Sequence, residues 1–96
     1  MISNWVIEAL QHINRRTIPI EFSDHARLDK NLSFLDLELA ETTVRFGVPL
    51  EEKSTTELER ICLRKYFKQV NQTYFVIIQI YLDYIQIITV IKKHGN

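Results

Sequence analysis

The side chains able to carry chemistry are few, and their spacing argues against catalysis. Cys62 is the one cysteine, and a thiolate nucleophile would need a base from His12, His25 or His94. Its neighbours Ile61 and Leu63 place it in an apolar run, where a lone cysteine behaves as a small core residue. Carboxylates come in pairs, Glu51 with Glu52 and Glu38 with Glu41, at spacings that fit a solvated face and a helix start. His25 and Asp29 stand at i,i+4, and two ligands do not make a metal site. With Gly47 and Gly95 as the only glycines, there is no glycine-rich phosphate loop. The expectation is a protein that is not an enzyme and holds no metal or cofactor.

Charge says more. The chain has 12 basic and 12 acidic residues, so it offers no global field for nucleic acid or anionic lipid. The balance hides a polarity. Residues 36–59 carry seven acids against two bases, and residues 60–96 carry six bases against one acid. Arg60, Arg64 and Lys68 recur at i, i+4 and i+8 with Tyr66 nearby, the best patch for a nucleic-acid-binding regulator and the weakest of the functional readings. A charged face that docks a partner protein fits better.

These residues must be positioned by something, and 96 residues suffice for one domain. Ile2, Trp5, Val6, Ala9, Leu10 and Ile13 predict an amphipathic helix over 2–14. Pro19 interrupts the next segment, and Ser23 or Asp24 can cap a short turn. Ser33 with Asp36 resembles a capping box and opens a helix over 33–46, with Gly47 and Pro49 ending it. A second box, Ser54-Thr55-Thr56-Glu57, predicts a helix over 55–70. Asn71 or Thr73 would cap the next element.

The most apolar run, Thr73 to Lys93, admits three readings. Fifteen of the 19 residues from Thr73 to Ile91 are β-branched or aromatic, which suits a hairpin over 74–91 turning at Leu82-Asp83. No Gly or Asn sits there to supply positive φ. A helix over 73–93 instead explains why Gln72, Gln79, Gln86 and Lys93 fall seven apart, with Lys92, Lys93, His94 and Gly95 as its stop. A membrane span is disfavoured by Asp83 at the centre. The helix is preferred, giving an all-α bundle of about four helices, with α+β and a C-terminal hairpin as the alternative.

Ser33-Phe34-Leu35-Asp36-Leu37-Glu38-Leu39 also resembles the Ser-Leu-Asp-x-Val-Glu-Leu segment of acyl carrier proteins. The resemblance implies a phosphopantetheine on Ser33 and an acidic docking face at Glu38 and Glu41. Leu32 stands where that family has Asp, so Ser33 as a plain helix cap is preferred and the carrier is an alternative.

The resulting expectation is a small cytoplasmic binding module of inhibitor, immunity, antitoxin or adaptor type. Its N-terminus lacks the basic and apolar regions of a signal peptide. In so small a chain a run this apolar is hard to hide fully. The predicted partner surface, for another protein or a second copy, is Ile77, Ile80, Tyr81, Tyr84 and Ile88 with the face around Trp5, flanked by Glu38, Glu41, Arg60, Arg64 and Lys68.

Overall fold

The apolar run that dominates the sequence is a β-hairpin, and the chain is built as α+β rather than as a helical bundle. The computed structural model describes residues 4–55 and 59–96. Helix α1 (Asn4–Gln11) is followed by strand β1 (Ile20–Phe22), helix α2 (Asp24–Arg27) and helix α3 (Phe34–Phe46). Strands β2 (Val48–Thr55), β3 (Arg60–Phe67), β4 (Gln72–Ile80) and β5 (Ile85–His94) complete it. They form one five-stranded sheet in the order β1-β5-β4-β3-β2. Its pairings are antiparallel except for β1, which runs parallel to β5.

Two of the four expected helices are therefore strands. The span 73–93 is β4 and β5, and the span 55–70 holds the end of β2, all of β3 and the turn after it. The second expected capping box falls partly at 56–58, outside the described residues. Tertiary pairing decides both cases. The β-rich run forms a hairpin, and its first strand needs a partner on its free edge, which β3 supplies over eight paired positions.

The turn at Leu82-Asp83 avoids the difficulty that argued against it. Among the described non-glycine residues only Glu59 and Asn71 have positive φ, so this is not a primed turn. It closes on one bond, with Tyr81 N–H donating to the Tyr84 carbonyl at 2.9 Å. The two tyrosine rings stack across it, centroids 4.7 Å apart and 9° from parallel. The β3–β4 turn does use left-handed turn chemistry, at Asn71 with φ 48°, where the sequence pointed to a helix cap.

Paired residues share a face of the sheet. One face carries the rows Ile61–Ile78–Ile87–Phe22 and Leu63–Val76–Val90. The buried helix residues Val6, Ala26, Ala40 and Val44 join these in one core, so all three described helices pack on this side. The other face carries Cys62–Ile77–Thr89 and Arg64–Phe75–Ile91. Among the described residues no helix is long and apolar enough to cross a membrane.

The N-terminal half follows the sequence more closely. Helix α1 occupies most of the expected span, and α3 matches its signals. Ser23 caps α2 by accepting from Ala26 N–H at 3.1 Å, and it donates to the Ile88 carbonyl at 2.9 Å. That carbonyl belongs to a bulge in β5, where partners step from Ile77–Thr89 to Ile78–Ile87 and leave Ile88 as the extra residue. Gly47 ends α3 for a steric reason. Its φ is −72°, but a Cβ there would run into the Thr43 carbonyl oxygen and lie 3.0 Å from that of Arg64. The Gly47→Ala variant should therefore lose about 1–3 kcal/mol of stability, read from the denaturant midpoint, as α3 is pushed off β3.

Candidate functional site

Ser33 and its surroundings are a structural junction. The Ser33 hydroxyl accepts from Asp36 N–H at 3.1 Å, and the Asp36 carboxylate accepts from Ser33 N–H at 2.8 Å, closing the capping box. Asp36 is only 4% exposed and also accepts from Lys92 Nζ at 2.9 Å and from the Tyr74 hydroxyl. Burial alone would raise its pKa, but hydrogen bonds from Lys92, Tyr74 and Ser33 outweigh that and bring it from 3.8 down to about 2. Burial, and then the Asp36 carboxylate, push the Tyr74 hydroxyl up. The arrangement pins the start of α3 to β4 and β5.

The other expected sites are dispersed. Cys62 is buried in the middle of β3, while His25 lies in α2 and His94 at the end of β5. Among the described residues no group of three His, Cys, Asp or Glu side chains could hold a metal ion. Arg60 and Arg64 lie on β3 and Lys68 in the turn beyond it, so they form no helical ridge. Arg64 donates to the Asn96 side chain at 2.6 Å, and Arg60 Nε finds no acceptor among the described residues. Glu38 and Glu41 are exposed on α3.

One part of the expected partner surface does come together. Trp5, Ala9, His12 and Ile13 from α1 and the turn after it form one wall of a groove of about 410 Å³. The opposite wall is Glu59 and Ile61 from around the start of β3, with Ile80, Tyr81 and Leu82 from the hairpin. Trp5, Ile80 and Tyr81 were expected, and Tyr84 joins them indirectly through its stack on Tyr81. Ile77 sits on the opposite sheet face and Ile88 in the bulge, away from the groove. A helix would have striped all five together; strand alternation separates them.

Ala9 and Ile13 belong to the expected face around Trp5, while His12, Glu59, Ile61 and Leu82 complete the groove and were not foreseen. Leu82 gave a usable signal, because an apolar residue at a hairpin turn serves no turn chemistry. Glu59 gave none: its backbone lies at φ 53°, a conformation that only the folded chain reveals.

The groove's walls are mainly apolar, with His12, Glu59 and the Tyr81 phenol as its titratable groups. No family model matches this chain, and no curated protein or solved structure matches it. The groove must speak for itself.

The Asp36 junction generates a pH dependence. Its folded pKa lies below the unfolded value of 3.8, so its stabilising contribution is complete above about pH 5 and is lost as pH falls through 3.8 towards 2. The contribution is on the order of 2 kcal/mol. Denaturant titrations at pH 7 and pH 3 should show the wild type losing stability on acidification, with Asp36→Asn about 3 kcal/mol weaker at pH 7 and less sensitive to that change.

Proposed function

We propose that the chain is a small non-enzymatic protein-binding module that works in the cytoplasm and seats an apolar side chain of its partner in the groove between α1 and the β4–β5 hairpin. The inhibitor, immunity, antitoxin and adaptor classes are the kinds of protein meant. The observation that carries the reading is the groove itself. Its volume of about 410 Å³ lies within the range of pockets that bind ligands, roughly 300–1,000 Å³. Trp5 in its wall is the type of residue on which binding energy concentrates. Compartment rests on a slighter support, a sequence whose one cysteine is too few for an internal disulfide framework.

The nucleic-acid reading loses its main support, since the basic ridge depended on a helix that is not there. The carrier reading loses the helix that was to follow its Ser helix.

Trp5 is the only tryptophan, so it reports on the groove directly. Anilinonaphthalene sulfonate bound there should accept energy from Trp5 and quench its emission. The Ala9→Leu variant keeps a good helix former and fills the groove, so it should abolish the transfer while leaving the circular dichroism spectrum unchanged. An Ile77→Thr variant on the opposite sheet face should leave the transfer as it is. Equal transfer in the Ala9→Leu variant would refute the groove as a docking site.

A further inference from the structure

We propose that the occupant of the groove is the hairpin tip of a second copy of this chain, each copy's Leu82 entering the other's groove about a two-fold axis. This deepens the docking reading above and rests on it.

Leu82 is 99% exposed, so its side chain adds nothing to the core of its own molecule. Turn positions favour Gly, Asn, Asp or Ser, each for a backbone reason, and none of those reasons calls for leucine. The tip is nevertheless held in place by the Tyr81–Tyr84 stack and the Tyr81–Tyr84 hydrogen bond. A presented, fully exposed leucine beside an apolar groove is a knob next to a hole. Because Leu82 itself stands at the groove's lip, one two-fold axis between copies can fill both holes at once.

Charge runs the same way. Ile13, in the α1 wall, is shared with a cleft lined by Arg15, Arg16 and Arg45. Arg15 and Arg45 donate to backbone carbonyls there, while Arg16 is exposed and lies over the Phe46 ring. Beyond the opposite wall, Asp83 follows Leu82 and shares a recess with Glu21 and Tyr84. Partial desolvation, then Tyr81, Glu21 and Asp83, push the Tyr84 hydroxyl up. The surface therefore passes from basic cleft to groove, then to knob, then to acidic recess. Turned about a two-fold axis, the same sequence meets itself in reverse, so the acidic recess of each copy faces the basic cleft of the other on the flanks of the two knob-in-groove contacts.

Sedimentation velocity over a concentration series reaching the millimolar range tests this. The wild type should show a reversible monomer–dimer equilibrium that weakens with salt. Leu82→Ser, at a position that supports no fold contact, should weaken it by ~100-fold or more, since two leucines leave the interface. Arg16→Glu should weaken it, and the double variant Arg16→Glu/Asp83→Arg should restore it. A chain that stays monomeric throughout, or a dimer that Leu82→Ser does not weaken, overturns the proposal. If that monomer still transfers energy from Trp5 to the dye, the groove stands as a docking site and its occupant is a protein of different sequence. If the transfer is absent as well, the docking reading falls with it.

Discussion

A carboxylate with almost no solvent contact joins the helical layer to the sheet. Asp36 lies in the first turn of α3 and gathers donors from Ser33, Tyr74 and Lys92, which come from the helix cap, β4 and β5. An isolated buried charge would be among the most destabilising features a small domain could carry. Satisfied from three sides, it becomes a position marker, since only one placement of α3 on the sheet meets all its donors. Lys92 itself is about a third exposed, so the ion pair adds less than the complete set of hydrogen bonds does. At the other end of α3, Arg15 Nη1 donates to the carbonyls of Val44 and Gly47, where cations complement the helix dipole. The helix is thus fixed at both ends by polar contacts and along its length by Ala40 and Val44 in the core.

What the sequence disclosed was local chemistry. Ser33 and Asp36 announced the capping box, Ser23 a short turn and Gly47 a stop, because each acts within four residues of itself. The C-terminal half depended on partners far along the chain. Gln79 and Gln86 look like a helical stripe at seven-residue spacing, yet they are equidistant from Leu82-Asp83 and pair across the hairpin. A hairpin and a helix write the same spacing here, and only the propensity of the intervening residues separated them. Gly95 has the positive φ expected of it, 85°, but it ends a strand. Its N–H donates to the Asn71 carbonyl, and its own carbonyl accepts from the Thr73 hydroxyl.

The candidate site shows the same division. Trp5, Ile80 and Tyr81 meet in the groove because α1 packs near the end of β4. Apolar surplus pointed to that juxtaposition, and no spacing did. Helical periodicity put Ile77 and Ile88 on the same surface, whereas the period-two alternation of strands puts Ile77 on the far side of the sheet. Strongly apolar strands hide this distinction, because both of their faces read alike until their neighbours are known.

The parallel pairing of β1 with β5 has a consequence in time. Ile20, Glu21 and Phe22 find their partners at Ile85, Gln86 and Ile87, so the first strand of the sheet closes against the last. During synthesis, α1, β1, α2 and α3 leave the ribosome well before the β3–β4–β5 meander they cover. Until then Val6, Ala26, Ala40 and Val44 have no sheet to bury against. High contact order of this kind slows folding and leaves apolar surface open to aggregation or chaperone capture. The nascent chain cannot close β1 into its sheet until its final strand has emerged.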